Sequence, residues 1–182
     1  MKPEKKSWMQ SVFAYAGGEK KRLYASVVLS VLSVVLGLAP FWCMYEMICL
    51  FAAGTASAAG VIKWCCMTLA AYAVKILLFS LSTGISHAMA YTVLEGLRLR
   101  LADRFLRAPL GDVEGRSIGE IKSMMVDKIE NIEPPLAHMI PEGAGHIVLP
   151  VISIAALLCI DWRLALASLV TFPLSFLCMG LT

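Results

Sequence analysis

Ile160-Asp161-Trp162-Arg163-Leu164, with Pro173 nine residues further on, is the stretch whose reading decides the fold. An apolar run rises to Ile160, about three polar or amphipathic residues turn it over, and a second apolar run descends toward Pro173. A connection that short forces two helices into an antiparallel hairpin. Trp162 and Arg163 suit a boundary between lipid and water, where an indole and a snorkelling guanidinium are both satisfied. The stretch reads as a membrane hairpin.

The rest of the chain extends that reading. Hydrophobic residues make up 59% and charged residues 16%, with mean hydropathy +0.75, far from the balance of a soluble domain. The apolar residues come in blocks. Leu23 to Ala53 holds one charge, Glu46, and Val61 to Tyr91 holds two, Lys63 and Lys75. Gly143 to Ile160 and Leu164 to Thr182 hold none. A hydrocarbon core about 30 Å thick takes roughly 20 helical residues, so three complete spans and most of a fourth are expected. The alternative, a soluble bundle with four buried helices, does not need blocks of this length.

Lys and Arg set the expected orientation. Lys2, Lys5, Lys6, Lys20, Lys21 and Arg22 precede the first span. Arg98, Arg100, Arg104, Arg107, Arg116, Lys122 and Lys128 fall between the second and third, while Lys63 and Arg163 are alone near the other connections. The positive-inside bias puts the N-terminus and the central charged segment in the cytoplasm. Ala56-Ser57-Ala58-Ala59 resembles a signal-peptide cleavage site, but the block before it exceeds the roughly 7 to 15 residues of a signal core. Gly54 to Gly60 is then an outer loop. Before the first span, Trp8, Val12 and Tyr15 recur at helical spacing beside Met9, Phe13 and Ala16, which suits an interfacial helix ended by Gly17-Gly18.

The second span does not stop at the membrane. Leu94, Leu97, Leu101, Phe105 and Leu106 continue at helical spacing, interleaved with Glu95, Arg98, Arg100, Asp103, Arg104 and Arg107. A helix over 61–107 would be about 70 Å long, more than twice the hydrocarbon thickness. Pro109, Gly111, Gly115 and Gly119 break it, and Ile118, Ile121, Met125, Ile129 and Ile132 begin a return through Pro134-Pro135. Two long helices joined by a polar tip make a stalk that holds a short element away from lipid, or else a hairpin that packs only on itself.

Pro109-Leu110 through Glu114-Gly115-Arg116-Ser117-Ile118-Gly119-Glu120, then Asp127, resembles the first intracellular loop of ABC transporters with the exporter-type transmembrane fold. The Asp161-Trp162-Arg163-Leu164 turn resembles their outer loop between the third and fourth helices. At the loop tip many members carry an aromatic pair where this chain has Asp112-Val113. The resemblance implies an all-α membrane protein whose long helices extend into the cytoplasm. It implies about four of the domain's six helices: a cytoplasmic segment 1–22 with an elbow helix, and a partial transmembrane domain 23–182. Its spans are about 23–52, 61–107 and 118–160, the last two including cytoplasmic extensions, and 164–182, incomplete. Gly111, Asp112, Val113, Glu114, Gly115, Arg116 and Ser117 would be a coupling helix seated on a nucleotide-binding domain. The implied partners are that domain, a second half-transporter (identical or different), the lipid bilayer of the cell membrane, and a small-molecule, peptide or lipid substrate. ATP and Mg²⁺ belong to the nucleotide-binding domain, and this chain is assigned no cofactor. The stretch Ile132 to Glu142 resembles a bacterial subgroup with siderophore importers among its members.

No G-x-x-x-x-G-K-[ST] phosphate loop occurs, and Gly17-Gly18-Glu19-Lys20-Lys21 lacks its spacing, so this stretch alone is not expected to hydrolyse ATP. A fragment or truncated product accounts for that. Ionisable groups inside spans are costly and face cavities, so Lys75, Glu142 and Glu46 are the candidates for the translocation pathway, Glu46 lying nearer the outer boundary. Counting from the outer connections puts Lys75 and Glu142 at similar depth, where they could pair; counting from the tip separates them by about 15 Å. His87, His138 and His146 form no Glu-x-x-His or His-x-x-x-His pair, and His138 reads as a packing group near the inner interface. Cys43, Cys49, Cys65, Cys66, Cys159 and Cys178 lie in or beside spans and match no zinc or disulfide spacing. No nucleophile triad or carboxylate pair argues for enzyme chemistry. Interleaved acids and the lack of aromatics argue against nucleic acid. The membrane portion of an ABC transporter is the leading expectation, and a small membrane adaptor binding a protein through the stalk tip is the alternative.

Overall fold

A computed structural model describes residues 18–109, 111, 115 and 117–179, with the side chains at 172, 174 and 176–179 left aside. The expected interfacial helix around Trp8, Val12 and Tyr15 lies outside the described residues. Every regular element among the described residues is helical. The elements are α1 (Lys20–Leu36), α2 (Ala39–Ala52), α3 (Ala58–Arg107), α4 (Ile118–Met125), α5 (Asp127–Glu130), a π-helical segment (Pro135–Met139), α6 (Ile140–Ile160) and α7 (Trp162–Met179). Three stretches are long and apolar enough to cross a membrane: Lys20–Ala52, Ala58–Arg107 and Ile118–Ile160.

The first span is jointed, which the sequence reading did not anticipate. Pro40 has no N–H to return to the Leu36 carbonyl, and the helix breaks one turn before it, at Gly37-Leu38. Where α2 ends, Gly54 adopts φ +67° and closes a Schellman motif. Thr55 N donates to Leu50 O at 3.1 Å and Gly54 N to Phe51 O at 3.1 Å. Ser57 then caps α3, its Oγ accepting from Gly60 N at 3.1 Å. The expected loop 54–60 is therefore shorter, because this cap starts the helix at Ala58.

The second short connection is also tighter than expected. Asp161 alone separates α6 from α7, instead of about three residues. Its extended backbone ends α6, with Asp161 N donating to Leu157 O at 2.8 Å, and its carboxylate Oδ1 accepts from Arg163 N at 2.8 Å. One residue serves as the end of one helix and the cap of the next. Arg163 lies over the Trp162 ring at 5.6 Å, so the pair folds together at the turn.

In the bundle α1 packs on α3 and α6, α2 packs on α3, and α7 packs on α6. The buried apolar cluster does not lie midway along the spans. It comprises Leu23, Met89, Ala90, Val93, Leu94, Ile129, Leu136 and Ala137, where the start of α1 meets the tip-side half of α3 and the π segment. Toward the two short connections, large apolar side chains face outward, Phe41, Leu69 and Ile147 among them. That is the expected arrangement where the solvent is hydrocarbon.

Small polar residues hold the spans together. Ser82 Oγ donates to Ser26 O at 2.7 Å, and Ser33 Oγ donates to Lys75 O at 3.1 Å. Both pairs fit one antiparallel register between α1 and α3. At Gly145, α6 crosses α1 so closely that a Cβ would lie 2.8 Å from Val34 Cγ2 and 3.4 Å from Ser30 Oγ. Small residues at such crossings let backbones approach within bonding range.

Candidate functional site: a polar joint and a helical tip

The returning helix is interrupted where Pro134, Pro135 and Pro141 fall within eight residues. Pro141 cannot donate to the Ala137 carbonyl, and its ring would crowd that oxygen in a regular α-helix. The helix widens instead. Ile140 N donates to Pro135 O, five residues back, forming the π segment. Ser86 of α3 reaches across and gives its Oγ–H to Ala137 O at 2.8 Å. A neighbouring span thus satisfies the carbonyl that the proline leaves open.

Around this joint the structure gathers ionisable groups. His138 Nδ1 lies 2.9 Å from Glu142 Oε1, bridging the end of the π segment to the first turn of α6. His87 Nδ1, on α3, lies 3.3 Å from Glu133 Oε1. The two imidazoles meet edge to face with centroids 4.8 Å apart. One turn along α3, the Tyr91 ring lies tilted against His87 with centroids 6.1 Å apart. All four bridging side chains are partly exposed, so the cluster opens on one side of the bundle.

The residues expected to line a pathway are placed separately. Glu142 pairs with His138, not with Lys75. Lys75 is half-buried, its stem packs beside Gly37 at the joint of the first span, and its Nζ lies 5.2 Å over the Tyr72 ring. The Ser86–Ala137 bond fixes the register and sets Lys75 about 9 Å from the level of Glu142 toward the short connections. The two sequence-based counts, equal depth and about 15 Å, bracket that value. Glu46 is half-buried on α2, about 9 Å from its end at Ala52, and stands apart from both.

At the far end of the stalk, α3 ends at Arg107, held to Asp103 at 2.9 Å, and Ala108 is extended ahead of Pro109. Gly115 N donates to Gly111 O at 3.2 Å. Ser117 starts α4, its Oγ accepting from Glu120 N at 3.1 Å. Asp112, Val113, Glu114 and Arg116 lie outside the described residues.

His87, Glu133 and Tyr91 were not singled out by sequence as site residues. The four-residue spacing of His138 and Glu142 was a visible signal for one bridge. The other joins residues 46 positions apart and needed the register between α3 and the π segment.

This architecture, of long apolar helices whose charged extensions meet at a short tip, is that of an ABC transporter membrane domain. Residues 23–182 match the family described as the ABC transporter transmembrane region, and the chain belongs to it. Among similar proteins is the mycobactin import ATP-binding/permease protein IrtA of Mycolicibacterium smegmatis, 30% identical over 160 residues, which are 83% of this chain and 17% of that protein. IrtA of Mycobacterium tuberculosis is 30% identical over 168 residues, 90% of this chain and 19% of that protein. A multidrug resistance ABC transporter ATP-binding and permease protein of Lactococcus lactis subsp. cremoris is 30% identical over 88 residues, 48% of this chain and 15% of that protein. The chain therefore spans less than a fifth of the length of these curated relatives.

Proposed function

We propose that this chain supplies part of the substrate pathway of an ATP-driven transporter and takes its motion from a nucleotide-binding domain through the tip at Gly111 to Ser117. The observation that carries the reading is the overshoot of α3. Its 50 residues make about 75 Å of unbroken helix, against about 30 Å of hydrocarbon. The excess lies on the side of the charged residues 95–107, so the tip stands in water on the side the positive-inside bias assigns to the cytoplasm. A rigid rod passes displacement on, where a flexible link would absorb it. Lys75 and Glu142 line the pathway at two depths, with Glu46 nearer its outer mouth. A second half-transporter completes the cavity.

A photocrosslinker at Gly115→Cys, with the chain expressed in cell membranes, tests the coupling. It is expected to capture a polypeptide that carries a phosphate-binding loop. Labelling of that cysteine by a membrane-impermeant maleimide from outside intact cells overturns the reading.

Import of an iron–siderophore complex is the second reading. It is supported by the two mycobactin import relatives, which match over 83% and 90% of the chain. Uptake of radiolabelled ferric siderophore into vesicles holding the assembled transporter tests it, and ATP-dependent efflux of the same compound refutes it.

A further inference from the structure

The joint at Pro134 to Pro141 holds two histidines against two carboxylates, and neither hydrocarbon packing nor the tip requires them. His87 belongs to α3, whereas Glu133, His138 and Glu142 belong to the returning helix, two before or at the end of the π segment and one just beyond it. His87 touches both neighbours, Glu133 through its Nδ1 at 3.3 Å and the His138 ring at 4.8 Å. His87 therefore ties the unbroken rod to its jointed partner beside the π segment, while His138 and Glu142 pair within that partner. We propose that these four side chains form a protonation-operated latch between α3 and the π-helical joint.

The electrostatics follow from the contents of the cluster. With both imidazoles neutral, Glu133 and Glu142 leave it with two negative charges. With both protonated, each carboxylate faces an imidazolium and the four residues sum to zero. Imidazoles make this change between about pH 5 and 8. On α3 the other group facing the cluster is Tyr91, its ring 6.1 Å from that of His87. On the returning helix the further ionisable neighbours are Glu130 below the joint and His146 one turn above Glu142. The first helix presents Leu23, Ser26 and Ser30 to the bundle, with its Glu19–Arg22 pair at its start. The apolar cluster of Met89, Ala90, Leu136 and Ala137 lies directly alongside, so releasing the latch need not dissolve the bundle.

The test places spin labels at the exposed positions Leu99 on α3 and Asn131 on the returning helix, in the whole chain in lipid vesicles. Their distance distribution is measured by pulsed electron resonance at pH 5.5 and pH 8. One partly exposed ion pair, His87 to Glu133, crosses between the two helices, so the close population is expected to be enriched by about 2- to 5-fold at pH 5.5. His87→Gln with His138→Gln is expected to give one distribution at both pH values, while His146→Gln keeps the response. A wild-type distribution that does not change with pH overturns the proposal, whether or not the double variant folds. So does a pH response that persists in the double variant.

Discussion

The bond from Ser86 to the Ala137 carbonyl can be tested as a matched pair with Pro141. Ser86 is fully buried, and its hydroxyl replaces the backbone donor that Pro141 lacks. Ser86→Ala leaves Ala137 O without that donor, and interhelical hydrogen bonds in membranes average about 0.6 kcal/mol with a maximum near 1.7. An orphaned buried carbonyl adds to the loss, so about 1 kcal/mol is expected, roughly a 5-fold change in the unfolding constant. Pro141→Ala restores a backbone N–H four residues after Ala137. In that background Ser86→Ala should cost less than about 0.3 kcal/mol. Pro141 is itself fully buried, so its own substitution removes packing, but a double-mutant cycle subtracts that loss and leaves the coupling. The measurement is unfolding of the purified chain by sodium dodecyl sulfate titration in bicelles, followed by circular dichroism. Equal costs of Ser86→Ala in the two backgrounds would refute the claim that the serine substitutes for the proline's missing donor.

Gly145→Leu should destabilise by about 1–3 kcal/mol in the same titration, since a Cβ 2.8 Å from Val34 Cγ2 is about 1 Å inside ordinary carbon contact. Gly143→Ala, two residues away with nothing within 4 Å, should change stability by less than about 0.5 kcal/mol, and equal effects would sink the close-crossing argument. Ser117→Ala should cost about 1 kcal/mol by uncapping α4, with Ser117→Asp near wild type; a large loss with Asp as well would mean the hydroxyl does something other than cap. Lys75→Met keeps the stem beside Gly37 and deletes the charge, so stability should hold while substrate-stimulated ATPase activity of the assembled transporter falls; unchanged activity removes Lys75 from the pathway.

What was legible in the sequence was what repeats along one helix. Block length marked the long apolar stretches, and the leucine and arginine pattern from Leu94 to Arg107 marked a second helix longer than a hydrocarbon core is thick, as the 50 residues of α3 are. Prolines were legible as breaks but not in their consequence. Pro40 splits the first span at Gly37, yet the span reads as one apolar run because every residue around the break is apolar. Pro141 widens a turn instead of ending the helix, and a serine on another span donates to the carbonyl left exposed. The polar joint combined both kinds of information. His138 and Glu142 sit four apart on one face and could have been paired at sight. Their link to His87 depends on a register between helices that only packing determines.

That register also explains why the two struts differ. The rod α3 runs 50 residues with no proline, while its partner carries Pro134, Pro135, Pro141 and Pro150 in the span that returns from the tip. A pair of identical rods would tilt together as one body. A rod beside a jointed strut has one place where the two can separate, and the largest buried cluster lies at that place instead of midway across the lipid. Above the joint, serine bonds tie the first helix to α3 and a close glycine crossing brings it against α6.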